Sequence, residues 1–267
     1  MSSHMIKTGG AQIAYTDQGS GELTLVFLHY WGGSSRTWEN VVSQLESDFK
    51  CVTMDHRGWG RSISLNERYD LDSMADDVED VISALRLKAY ILVGHSMGGK
   101  VAQIVASRLA DRSSTSPLVG MVLVAPAPPD PMEVPAEQRA SMLKSYQSRE
   151  GAEQVVSILA GRQLSEEERE QVIEDTLAGA LGAKKEWTEH GMIATVAPRA
   201  RYTGPVRIVV GELDRIETPN SLKAVFKEHL PQARVKTVPG VGHLLPIEQP
   251  SCIVAACLDI SSDFRAR

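Results

Sequence analysis

Tyr90-Ile-Leu-Val-Gly94-His-Ser96-Met-Gly98-Gly99 is the stretch that decides the fold of this chain. Apolar and β-prone residues run directly into a Gly-x-Ser-x-Gly, and an Ala/Val/Ile-rich helical pattern begins at once behind it. That order predicts a strand, a sharp turn and a helix, with Ser96 at the turn. The flanking glycines matter because so tight a turn leaves no room for neighbouring side chains. A strained backbone at such a turn lifts the serine hydroxyl clear of the sheet and presents it as a nucleophile.

Outward from this point, short apolar runs recur at residues 24–28, 50–54, 90–93, 119–125, 206–211 and 234–238. Helical patterns separate them at 37–48, 71–87, 97–110, 221–230 and 247–260. Near-continuously apolar strands alternating with helices predict a mostly parallel twisted α/β sheet of about eight strands, covered on both faces. Residues 6–17 read as an antiparallel hairpin at one edge. The first five residues look like a tag remnant and are set aside from the fold.

Residues 126–201 break the rhythm. The segment opens on Pro126-Ala-Pro-Pro-Asp-Pro and carries helical patterns at 136–148, 152–159, 165–181 and 184–196, with no convincing strand. Ser165 followed by three glutamates is a capped helix start. The expected organisation is a core formed by residues 6–126 and 201–262, with an all-helical insertion at 127–200 after the sixth strand.

A serine hydroxyl needs a base to take its proton and a third group to orient that base. On a sheet of this kind they should follow in the order serine, carboxylate, histidine, on loops after later strands. Val210-Gly-Glu-Leu-Asp214 supplies the carboxylate and Gly242-His243 the histidine, each past a strand and before a helix. Functional groups gather at the carboxyl ends of strands in open α/β sheets, so Ser96, Asp214 and His243 form the expected catalytic set. Glu212 and Asp130 are the alternatives for the acid. His56 and His95 flank glycine turns and read as structural, whereas His190 and His229 lie in polar helical surroundings and read as exposed. A tetrahedral intermediate also needs two N–H donors for its oxyanion. Met97, at a helix N-terminus, supplies one, and the loop after residues 24–28, His29-Tyr30-Trp31-Gly32-Gly33, should supply the other.

Composition closes off several function classes. The chain has 267 residues, 42% hydrophobic and 23% charged, ordinary values for a globular domain. A net charge of -6 and a pI near 5.7 leave no basic excess for nucleic acid or an anionic membrane surface. No apolar run approaches the ~18 residues of a membrane span. Cys51, Cys252 and Cys257 lack metal or disulfide spacing and read as buried free thiols, which points to a reducing, cytoplasmic setting. No His/Cys/Asp/Glu cluster has metal-ligand spacing, so neither a metal nor a cofactor is expected.

With five motifs in order (His29-Tyr-Trp-Gly-Gly, Asp55-His-Arg57-Gly58-Trp-Gly60-Arg-Ser62, Gly94-His-Ser-Met-Gly98, Gly211-Glu-Leu-Asp214 and Gly242-His243), the chain from about residue 6 to 260 resembles the α/β-hydrolase superfamily. The resemblance implies the nucleophile Ser96, the acid Asp214, the base His243 and oxyanion donors at Trp31 and Met97. One departure is Tyr30, where the family usually has glycine: it places a bulky ring beside the oxyanion loop. A serine rather than an aspartate at the turn argues against epoxide-hydrolase or dehalogenase chemistry. Arg57 is expected near the site without a catalytic role, and Asp55 and Ser62 as turn residues.

The resemblance implies that the insertion at 127–200 is a helical lid, and lid and core supply Tyr30, Met132, Tyr146, Trp187, Met192 and Leu244 as candidate walls of an apolar pocket. Such a wall suits an acyl or aromatic ester. The expected function is a serine esterase-like hydrolase acting on a carboxylic ester, thioester or lactone. The same scaffold also hosts lyases, C–C hydrolases, cofactor-free perhydrolases or oxygenases, and non-catalytic ligand receptors. The expected partner is a small-molecule substrate, and homo-oligomerisation is left open.

Overall fold

A computed structural model describes residues 2–112, 117–196 and 202–265. Its strands are β1 (Ser2–Lys7), β2 (Ala11–Gln18), β3 (Thr24–Leu28), β4 (Lys50–Met54), β5 (Ile63–Ser64), β6 (Tyr90–His95), β7 (Leu118–Val124), β8 (Val206–Gly211) and β9 (Arg234–Val238). Its helices are α1 (Glu39–Val42), α2 (Leu71–Ala84), α3 (Met97–Arg112), α4 (Ala136–Ser145), α5 (Arg149–Leu159), α6 (Glu166–Ala178), α7 (Leu181–Glu186), α8 (Pro219–His229), α9 (Leu245–Glu248) and α10 (Pro250–Arg265). Among the described residues one nine-stranded sheet runs β1-β2-β4-β3-β6-β7-β8-β9, with β5 paired to β2. β1, β2 and β4 pair antiparallel, and from β4 to β9 the neighbours are parallel.

The near-continuous apolarity of the central strands follows from burial on both faces. Side chains alternate across a strand. Val26, Leu28, Leu92, Leu123 and Ile208 face one core with α2 and α3, while Leu25, Phe27, Ile91, Val122 and Val209 face the other with α10. The chain order reverses at β3, which lies between β4 and β6 with Leu28 level with Gly94. The loops leaving β3 and β6 therefore emerge side by side, at the switch point where open α/β sheets bind ligands.

Several expectations change in detail. Ser2–Met5, set aside as a tag remnant, form most of β1, with Met5 opposite Ala14. The two-residue β5 makes the strand before the helical insertion the seventh rather than the sixth. The pattern at 37–48 yields a 3-10 turn (Ser35–Trp38) and the short α1. The pattern at 247–260 starts earlier, at Leu245, and is cut in two before Pro250, whose ring and missing N–H end α9. The pattern at 184–196 begins at Leu181 and passes into a π turn (Trp187–Gly191). Ser165 and Glu168 make the reciprocal cap on α6 that the Ser-Glu-Glu-Glu run predicts. The predicted end of the insertion, residue 200, lies outside the described residues. None of the described helices is long and apolar enough to cross a membrane.

Candidate active site

Ser96 sits at a φ of +52°, in the left-handed region that non-glycine residues seldom occupy. Such a conformation costs ~1–3 kcal/mol and persists only where the surroundings over-determine it. Here they do. The Ser96 N–H donates to Val124 O at 3.0 Å, and its carbonyl accepts from Lys100 and Ala127 at 3.1 and 3.0 Å. A Cβ on Gly94 would lie 2.5 Å from Gly98 O, and one on Gly98 would lie 2.3 Å from Leu28 O. Both neighbours are backbone, so neither position accepts a side chain.

The loops after β8 and β9 bring a carboxylate and an imidazole together. Asp214 accepts the N–H groups of Ile216 and Glu217 at 2.8 and 2.9 Å on Oδ1, and its Oδ2 meets His243 Nδ1 at 2.8 Å. Both side chains are buried. A carboxylate on Nδ1 fixes the proton there and leaves Nε2 as the lone-pair nitrogen, the arrangement of a general base. The rest of His243 is held too. Its N–H donates to Leu159 O at 2.7 Å, and its carbonyl accepts from His95 Nε2 at 2.8 Å. The His95 and His243 rings lie 5.0 Å apart, which sets the imidazole beside the residue preceding Ser96. The alternative acids are engaged elsewhere: Glu212 accepts Gly240 N–H, and Asp130 pairs with His229 at 2.8 Å. That pair leaves His229 half-buried rather than exposed.

The loop after β3 is organised by His29. Its Nε2 accepts the His56 N–H at 3.0 Å, so Nδ1 carries the proton and donates to Tyr30 O at 2.7 Å. Burial holds this imidazole below its ordinary pKa, in the neutral form that can do both. Tyr30 O also accepts Gly33 N–H at 3.0 Å. In a trans peptide the next N–H points the opposite way, so the Trp31 N–H is turned away from these partners. Met97 opens α3, and first-turn N–H groups have no acceptor within their helix. Asp55 and Ser62 hold the adjacent turn, as expected: Asp55 accepts the N–H groups of Ser35 and Arg61, and Ser62 Oγ donates to Asp55 O. Arg57 forms a buried two-point ion pair with Asp77, at 2.6 and 2.8 Å.

The candidate wall residues meet in one apolar cluster. Tyr30, Trp31, Met97, Tyr146, Trp187, Met192 and Leu244 are all buried in it, and the half-buried Met132 packs against it. Tyr146 is committed to the loop beneath: its ring stacks on Trp31 at 3.5 Å and its hydroxyl donates to Trp31 O at 3.2 Å. Tyr30 turns its ring against His95, 4.9 Å between centroids, and lies beneath Gly33. Burial, then Asp175, raises the pKa of its hydroxyl. The insertion is fastened nearby through Asp175, which accepts from Ser34 Oγ and from two nitrogens of Arg36.

Two buried charges near the site escaped the reading of the sequence. Lys100, one turn beyond Ser96, is fully buried; burial brings its ammonium down to about 8 against the opposing pull of Glu217 and Asp130. Burial, and then the charge of Asp214, raises Glu217 well above the carboxylate range. The hint for Lys100 was its helical spacing from the apolar Met97 and Ile104; nothing in the sequence marks Glu217. Among the described residues there is no cluster of three or more His, Cys, Asp or Glu side chains placed to hold a metal ion.

A model of the family described as alpha/beta hydrolase matches residues 25–256, and the chain belongs to that family. It is 30% identical over 178 residues to a non-heme chloroperoxidase of Kitasatospora aureofaciens, covering 66% of this chain and 58% of that one. It is 36% identical over 123 residues to a bifunctional esterase/perhydrolase of Acinetobacter calcoaceticus, covering 45% and 43%. The matched stretch is thus less than two thirds of either relative. The fold superposes on an esterase from Exiguobacterium antarcticum with a TM-score of 0.86 over 96% of this chain and 97% of that one, at 19% identity.

Proposed function

We infer, from membership of the alpha/beta hydrolase family and the geometry around Ser96, that this chain is a serine hydrolase. Its substrate is a carboxylic ester, thioester or lactone, small and largely apolar or aromatic. Ser96 Oγ attacks the carbonyl carbon while His243 Nε2 takes the hydroxyl proton. Asp214 orients the imidazole and stabilises its cationic form. The N–H groups of Trp31 and Met97 hold the oxyanion, a role worth ~10²–10³ in rate per donor in a known case. His243 returns the proton to the departing alkoxide or thiolate, leaving an acyl-Ser96 ester. It then deprotonates a water that attacks the acyl carbon, and Ser96 recovers its proton as the carboxylic acid leaves. The helical insertion serves as the lid, and its apolar wall favours an uncharged acyl group.

The observation that carries this reading is the 2.8 Å contact between His243 Nδ1 and Asp214 Oδ2, on an imidazole packed against His95. A p-nitrophenyl ester series of increasing acyl length, measured on wild type and Ser96→Ala, tests it. Turnover that peaks at a short acyl chain and disappears in Ser96→Ala supports it; no ester turnover by wild type rejects it.

A second reading uses the same acyl-enzyme with hydrogen peroxide as acceptor in place of water, releasing a peracid. The names of the chloroperoxidase and esterase/perhydrolase relatives favour it. Peracid formation from acetate ester and peroxide by wild type, absent in Ser96→Ala, distinguishes it from hydrolysis alone.

A further inference from the structure

Glu248 lies five residues past His243, in the short helix α9, and is buried. Its carboxyl oxygens face backbone N–H groups from two directions. On one side are the neighbours of the base: Leu244 N–H reaches Oε1 at 3.1 Å, and Gly242 N–H lies 3.2 and 3.1 Å from the two oxygens. On the other side is the link between α5 and α6, where the N–H groups of Gly161 and Arg162 reach Oε2 at 2.8 and 3.1 Å. The Arg162 guanidinium adds donors to the carbonyls of Ile247 and Glu248.

The two backbones meet so closely that neither tolerates a side chain. A Cβ on Gly161 would lie 2.3 Å from Gly242 N, and one on Gly242 would lie 2.3 Å from Gly161 N. In that space four amide groups cannot reach ordinary backbone acceptors, and a buried N–H without a partner is costly. One carboxylate, with two oxygens and about four lone-pair sites, satisfies them together.

We propose that Glu248 is a positioning residue for His243, joining the histidine loop to the helical insertion and so fixing the imidazole on Asp214 and beside Ser96. It touches neither substrate nor reacting atoms. Its effect passes through the backbone at residues 242 and 244, which brackets the base. The insertion thereby supports catalysis from behind His243 as well as forming a wall over it. This inference rests on His243 being the base of the proposed hydrolase.

Glu248→Gln tests it, because an amide keeps the shape but turns one acceptor into a donor facing N–H groups. Loss of positioning without loss of binding predicts a fall in kcat of about tenfold or more, with KM within about twofold. The His243 Nδ1–H bond to Asp214 should give a strongly deshielded proton signal in wild type, and that signal should broaden or vanish in the variant. Wild-type kcat with that proton intact in folded Glu248→Gln overturns the proposal. A second measurement needs no variant to fold: in wild type, the amides of Gly161, Arg162, Gly242 and Leu244 should be protected from hydrogen exchange. Exchange of these amides at open-loop rates equally overturns it. The proton and exchange readouts require no turnover, so an absence of esterase activity rejects the proposed function while these two still judge Glu248.

Discussion

His95 Nε2 donates to the carbonyl of His243 at 2.8 Å, so the residue beside Ser96 holds the His243 backbone. The His243 N–H is taken by Leu159, and its Nδ1 by Asp214. What remains for chemistry is Nε2. Strand β6 thus supplies both the neighbour of Ser96 and a fixed support for the His243 backbone.

His95→Phe keeps a ring against Tyr30 and His243 but removes the donor. A net hydrogen bond of ~0.5–1.5 kcal/mol corresponds to a rate effect of roughly 2- to 12-fold. The expected outcome is a fall in kcat of that size with KM little changed, measured on a short-chain p-nitrophenyl ester.

Gly98→Ala should be far more damaging than its size suggests. The new Cβ would meet Leu28 O at 2.3 Å and His29 O at 2.6 Å, both backbone atoms that cannot swing aside. Moving the turn by even ~1 Å misplaces Ser96 and can cost on the order of 10²-fold. Steady-state kinetics alongside a thermal melt would separate lost alignment from lost fold.

Tyr146 offers a two-step series. Tyr146→Phe keeps the stack on Trp31 and loses the bond to Trp31 O, for an expected stability loss of ~1 kcal/mol and a several-fold drop in kcat. Tyr146→Ala also removes the ring, and an aromatic-to-alanine change in a core costs ~3–5 kcal/mol. Denaturant midpoints and kcat for the two variants check the ordering.

Acid should destabilise the fold through three imidazoles. His29, His56 and His95 are fully buried, and burial, the leading cause in each, holds them below their ordinary value of 6.5. Because their folded pKa values are depressed, the stability they carry is complete above pH ~6.5. It is lost at ~1.4 kcal/mol per pH unit for each group as pH falls below that value toward its folded pKa. Urea midpoints should be flat from pH 7 to 8 and fall steeply toward pH 5. Among the described residues the His56 ring nitrogens have no hydrogen-bond partner, so His56→Leu should make that fall shallower.

Much of this arrangement was legible because its chemistry is local. The glycines around Ser96, the strand that precedes it and the ordered Asp214 and His243 each leave a mark within about ten residues. Strands buried on both faces read as apolar runs, so their limits came close. The breaks were harder: whether residues 37–48 form one helix or two short turns depends on packing against α9 and α10, far along the chain, which no local pattern encodes. Lys100 and Glu248 were passed over, and the partner of the structural His95 went unseen, for a related reason. Each draws its role from a partner brought near by the fold, such as the His243 carbonyl 148 positions away in sequence. Tyr146 was placed on the pocket wall, yet its commitment to Trp31 spans 115 positions.

The central claim is that Ser96 is a nucleophile activated by His243. A fluorophosphonate probe tests it directly, since it phosphonylates an activated serine without requiring the natural substrate. The account predicts stoichiometric labelling mapped by peptide mass spectrometry to Ser96, lost in Ser96→Ala and slowed by orders of magnitude in folded His243→Ala. Labelling of Ser96 at an undiminished rate in His243→Ala, or no labelling of wild type, would contradict it.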